Sequence, residues 1–174
     1  MYRNTFLSVM FLACCFNGSL CAQSDAQIYE RTCDAKTYPF SDPSPVATPN
    51  NSYYPYFRFD GFSMQAQEKQ WKMVVLENDY VKLTVTPEIG GKIWGAIDKV
   101  NNKEFVYTNG VVKFRDVAMR GPWTSGGIEF NFGIIGHAPT CSTPIDYLTK
   151  KNVDGSVSCH IFSYEWITRT VWNV

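Results

Sequence analysis

The sequence predicts an all-β protein, and three observations carry that reading. Short runs of alternating apolar and polar residues recur along the chain, as half-buried strands require. Turn residues such as Asn101-Asn102 and Asp154-Gly155 punctuate those runs. Aromatic residues, which favour strands, make up 16% of the 174 residues. No window of a dozen residues carries apolar positions at i, i+3, i+4 and i+7 behind a credible N-cap, apart from a weak trace between Ser63 and Lys72.

The elements follow in order. Arg3 supplies a positive start, Phe6 to Phe16 an apolar run, and Leu20-Cys21-Ala22 a small-residue end before Gln23, so residues 1–22 read as a signal peptide cleaved after Ala22. A lipoprotein signal fits less well, because Cys14 falls inside the apolar run and Cys21 follows Leu20. The run is shorter than the roughly 20 residues that span a bilayer, so no membrane span is expected and the destination is the periplasm or beyond. Residues 23–56 read as an extended approach segment, because "TYPFSDPSPVATPNNSYYPY" carries five prolines, which lack backbone donors. Residues 57–174 hold the strands.

In "DYVKLTVTP" the residues Val81, Leu83 and Val85 share one face and Lys82 and Thr84 the other. "GKIWGAID" follows with Ile93 and Ile97 on one face, and the turn from Val100 to Lys103 leads into "EFVY" as a hairpin does. A second hairpin joins "PIDYLTK" to "SVSCHIFSY" through Asn152-Val153-Asp154-Gly155. The final "EWITRTVWNV" alternates to the end, with Trp166, Thr168, Thr170 and Trp172 on one side. An unpaired aromatic edge templates aggregation, so the chain reads as the N-terminal piece of a longer protein whose C-terminal continuation is a partner.

Composition excludes several functions. With 16 basic and 16 acidic side chains there is no charge surplus for a nucleic acid. Three cysteines remain after cleavage, Cys33, Cys141 and Cys159, enough for one disulfide and one thiol with the pairing undetermined. No Cys-x-x-Cys or Cys–His cluster is present, so no structural zinc is expected. Gly126-Gly127 matches neither phosphate-loop pattern, and no cofactor is expected.

The chemistry concentrates in "RGPWTSGGIEFNFGIIGHAP", residues 120 to 139, where five glycines let the backbone turn tightly and approach a ligand. Glu129 lies between Ile128 and Phe130, whose apolar bulk would desolvate it as a general acid or base; the other reading is an ion pair with Arg115 or Arg120. His137 sits at a turn where its imidazole can meet a substrate hydroxyl, or else bond a backbone carbonyl. Trp123 and Trp94 offer flat faces to a sugar ring, or else belong to the core. Asp116 and Arg115, with Arg120, can orient hydroxyls through charge-assisted hydrogen bonds, or form surface ion pairs. His160 occupies an ordinary strand position.

"LENDYVKLTVTPEIGGKIWGAIDK" resembles the opening strands of galactose mutarotase-like (aldose 1-epimerase-like) proteins. The longer "VVKFRDVAMRGPWTSGGIEFNFGIIGHAPTCSTPIDY" resembles an uncharacterised bacterial branch of that superfold, described as a domain of unknown function and commonly followed by tetratricopeptide repeats. The resemblance runs from about Tyr53 to Val174. It implies an antiparallel β-supersandwich, of which this chain supplies the first part, with carbohydrate bound in a cleft across one sheet. The mutarotase glutamate base lies late in that fold, past Val174, so Glu129 and His137 belong to the branch's own pattern. The expected function is an exported carbohydrate-active domain, epimerase-like or glycosidase-like. The alternatives are a non-catalytic carbohydrate-binding module and a structural domain of a repeat-containing protein.

Overall fold

A computed structural model describes residues 26–41, 61–116, 122–132, 137, 139–165 and 169–174. The proposed signal peptide, most of the proline-rich run and Arg120 lie outside them. Among the described residues there are ten strands: β1 (Gln27–Tyr38), β2 (Gln67–Glu77), β3 (Val81–Thr86), β4 (Lys92–Asp98), β5 (Lys103–Val106), β6 (Val112–Asp116), β7 (Pro122–Thr124), β8 (Asp146–Lys151), β9 (Val157–Glu165) and β10 (Thr170–Asn173). Seven form one sheet in the order β5-β4-β3-β2-β1-β6-β7, and three form a second in the order β10-β9-β8. The protein is an all-β sandwich. Among the described residues no helix is long and apolar enough to cross a membrane.

The first sheet is mixed rather than purely antiparallel. β1 runs antiparallel to β2 from Gln27 opposite Glu77 to Thr37 opposite Gln67. Its far edge pairs in parallel with β6, Thr37 beside Val112 and Tyr38 beside Lys113. Residues 27–38 are thus a central strand and not part of an approach segment: the first proline comes only at Pro39, so every backbone donor before it can join a ladder. The weak helical trace between Ser63 and Lys72 also yields to a strand, because the opening of β2 is set by its pairing with β1.

Two apolar clusters occupy opposite faces of the large sheet. Trp71, Met73, Ile89, Trp94, Val112 and Phe114 make one. Val74, Val85, Ile145, Ile161 and Trp172 make the other, where the small sheet packs. Trp71 and Val74 lie three residues apart on β2 and therefore face opposite ways, so the middle of that strand is covered on both sides. The same double cover alters the reading of β4. The deeply buried face is Lys92, Trp94 and Ala96, while Ile93 is half-buried against the second cluster.

Both expected hairpins form. Asn102 takes a left-handed φ of 51° between β4 and β5, and Asn152 closes the β8–β9 turn with its backbone N–H on Ser156 O at 2.8 Å. The last segment is not one strand: β9 ends at Glu165, Arg169 has φ 57°, and β10 folds back with Thr170 opposite Glu165. Trp172 is thereby buried against the second cluster. Among the described residues Cys33, Cys141 and Cys159 are free thiols. Cys33 packs on the first cluster and Cys159 on the second, so the sheet separates them.

The two sheets meet at a seam. After β3 the chain makes a 3-10 turn, Pro87–Ile89, then Gly90 and Gly91 with φ of 64° and 68°. Gly90 N–H donates to Thr143 O at 2.8 Å, and Ile145 N–H donates back to Pro87 O at 3.0 Å. A Cβ on Gly90 would lie 2.5 Å from the Cys141 carbonyl group. Strained φ and a backbone collision together predict that Gly90→Ala destabilises the fold by at least about 2 kcal/mol. Gly110, which has open space around it, is the control: thermal denaturation should show Gly110→Ala within about 0.5 kcal/mol of the parent.

Candidate functional site

The loop after β7 is fastened to β4 by backbone. Ile93 and Ile128 exchange two hydrogen bonds, at 3.1 and 2.9 Å, and Gly127 N–H donates to Tyr107 O at 2.8 Å. Gly127 has φ 69°, and any Cβ there would collide with Ile93 O, so only glycine lets the loop come this close. The approach presses Glu129 and its neighbours against the buried face of β4.

Lys92 is the residue that face presents. It is 2% exposed, and its ammonium donates to Thr124 O at 2.5 Å and to Thr124 Oγ1 at 3.1 Å. Burial pulls the ammonium below its ordinary range, while the charge of Glu129 acts in the opposite sense. The lysine was not legible as a site residue, because a lysine in an alternating strand normally marks the solvent face. The available signal was its register: Lys92 shares a face with Trp94 and Ala96.

Glu129 and His137 are brought together. His137 Nδ1 lies 2.8 Å from Glu129 Oε1, and the histidine backbone N–H donates to Asn131 Oδ1 at 2.8 Å. His137 holds φ 56°, an uncommon conformation that this pair of bonds fixes. With the carboxylate ionised it can only accept, in which case Nδ1 would carry the shared proton and leave Nε2 as the ring nitrogen able to exchange one. The Glu129 side chain is 11% exposed and that of His137 is 40% exposed. Glu129 Oε2 is buried with no hydrogen-bond partner. The Trp123 ring stands edge-on to the imidazole, with centroids 5.9 Å apart and planes at 74°, and the Lys92 ammonium lies 5.7 Å from its centroid.

The arrangement answers several alternatives. Glu129 pairs with a histidine and not with Arg115. That guanidinium donates to Phe114 O at 2.6 Å and sits over the Phe62 ring. Trp94 is 7% exposed in the first cluster, so it acts as core. Asp116 ends β6 opposite Pro122. Arg120 lies outside the described residues. His160 is exposed opposite Leu148. Asn131 and Thr124, which position His137 and Lys92, went unread because short polar residues in a glycine-rich loop carry no distinct pattern.

A cleft of about 350 Å³ lies nearby. Pro122 lines it, but Trp123, Glu129 and His137 do not. β7 thus presents neighbouring residues to two different places.

The class is that of an all-β sandwich domain with a buried lysine and a largely buried glutamate paired with a partly exposed histidine. The chain belongs to the family described as a domain of unknown function (DUF5107), which matches residues 48–174. It is also similar to a TPR-domain containing protein from Parabacteroides distasonis ATCC 8503, known from a crystal structure at 2.26 Å resolution. The two share 27% identity over 82% of this chain, with a TM-score of 0.72. The chain spans 25% of the length of that protein.

Two outcomes follow from the buried cluster. Burial first, and the charge of Glu129 second, push the Cys141 thiol up to about 12, against a smaller opposing pull from Lys92. The folded chain therefore keeps a proton that the unfolded chain releases above its ordinary value of 9.0. The resulting stability is whole below pH 9 and is lost as the pH climbs from 9 towards 12. Cys159, pushed up to about 11 by burial, adds to the same decline. Urea titrations between pH 8 and 11 under reductant should show a shallower decline for Cys141→Ala than for the parent. Lys92→Met leaves both Thr124 acceptors unserved and Glu129 without its neighbouring cation, and should cost about 2 kcal/mol in the same assay at pH 7.

Proposed function

We propose that this domain binds carbohydrate outside the cytoplasm, as the first part of a galactose mutarotase-like supersandwich completed by its continuation, and that His137 moves a proton at the sugar. The observation that carries the reading is the 2.8 Å contact between His137 Nδ1 and Glu129 Oε1. A carboxylate on one ring nitrogen fixes the tautomer and orientation, which leaves Nε2 as the acid–base group. Glu129 is then a positioning residue and not the base itself. Trp123, edge-on to the imidazole, offers an apolar boundary beside the reacting hydroxyl. The apolar run from Phe6 to Phe16 and the small residue at Ala22, read as a leader, support export.

One observation favours a second reading, a binding module without chemistry. Glu129 is largely buried and the cleft opens elsewhere. Proton transfer discriminates the two. Anomer interconversion and release of reducing ends are measured across a saccharide panel for the parent, Glu129→Gln and His137→Gln. A catalytic pair predicts a fall in turnover of at least ~100-fold in both variants with little change in KM. A binding module predicts no turnover in the parent, retained affinity in both variants and lost affinity in Trp123→Ala. A panel with neither turnover nor binding removes carbohydrate altogether and leaves a structural domain.

A further inference from the structure

The cleft is built from different residues than the Glu129–His137 pair. Its walls are rings: Phe40, Trp71 and Phe114, together with Pro39, Pro122 and Pro144. Such side chains have little rotamer freedom to lose, so a ligand entering here meets a preformed surface. Trp71 is fixed from below, its Nε1 donating to Thr37 Oγ1 at 2.9 Å, and its ring is tilted 48° against Phe114 at 6.2 Å.

Charge in the cleft is uneven. The Lys69 ammonium lies 3.7 Å from the centroid of the Trp71 ring, and among the described residues it forms no ion pair. Glu88 also lines the cleft, but its Oε2 accepts from the Lys72 backbone N–H at 2.6 Å, filling the place a ladder partner would take where β3 gives way to its turn. The cation is therefore held at an apolar wall with no ion-pair partner among the described residues, while Glu88, the other charge on the cleft, is engaged by backbone. Among the described residues that line the cleft there is no arginine, so a phosphate would find one point charge and no fork.

We infer that this cleft is a second binding site and takes a carboxylate-bearing sugar, a hexuronate unit, with the carboxylate on Lys69 and the apolar face of the ring along the aromatic and proline wall. The amide of Gln67, which also lines the cleft, is placed to serve ring hydroxyls. A neutral sugar of the same shape would fill the walls and leave the ammonium unmatched. This assignment rests on the carbohydrate reading and narrows its ligand class.

Calorimetric titration of the full chain tests it, with digalacturonate and its neutral counterpart as probes, on the parent, Lys69→Met, Lys69→Arg and Trp123→Ala. The acidic sugar should bind about fivefold more tightly than the neutral one, the modest gain expected of a solvent-exposed pair, and the preference should shrink in high salt. Lys69→Met should abolish the preference, Lys69→Arg should keep it, and Trp123→Ala should keep it too. Equal affinity for the two sugars, or a preference that survives in Lys69→Met, overturns the assignment. If neutral sugars bind and only Trp123→Ala weakens them, the cleft fails while the carbohydrate reading stands. If neither sugar binds, both fail.

Discussion

The site depends on one buried ammonium. Lys92 comes from β4, next to one edge of the large sheet, yet its charge is satisfied by Thr124, at the end of the strand on the opposite edge. Those bonds tie β7 over β4, and the Ile93–Ile128 exchange continues the tie into the glycine loop. A lysine buried in apolar surroundings is costly unless its donors are matched. The geometry that matches them also sets where Trp123, Glu129 and His137 stand. Replacing the lysine by an apolar residue of similar length would fill the space but would leave β7 positioned only by its ladder with β6 and the backbone exchange beyond it.

The same economy of contacts governs the joint between the sheets. Gly90 and Gly91 allow backbone to meet backbone where side chains would hold the layers apart, and hydrogen bonds cross the seam in both directions. Cys141 is carried on the segment that docks there, which is why it lies close enough to Lys92 and Glu129 to feel both charges. Packing of the sandwich and electrostatics of the site are thus consequences of one close approach.

What could be read from the sequence follows from how local its cause is. The β3 strand and the β4–β5 and β8–β9 hairpins were legible, because alternation and turn chemistry act over a few residues. Glu129 and His137 were legible as candidates, since an acid and an imidazole among glycines stand out. Their partnership was not, because it depends on Asn131 and on a left-handed backbone at His137. β1 was hidden for another reason. Both its faces are largely solvent-exposed, so the burial pattern that betrays a strand is weak, and its place is decided by β2. Trp94 looked the same as Trp123 in sequence; register alone sends one into the core and the other beside the imidazole. The fold back at Arg169 was missed because the alternation of threonine and tryptophan runs straight across it.

The parallel pairing of β1 with β6 bears on how the chain reaches this state. Thr37 and Val112 are neighbours in the sheet although four strands lie between them in sequence. Closing so distant a contact loses chain entropy before it returns any energy, whereas each hairpin in between forms from neighbours. Closure of this joint therefore carries a larger chain-entropy cost than any of the hairpins. A nascent chain released before Val112 emerges would leave the outer side of β1 bare, ready to recruit a strand from another molecule.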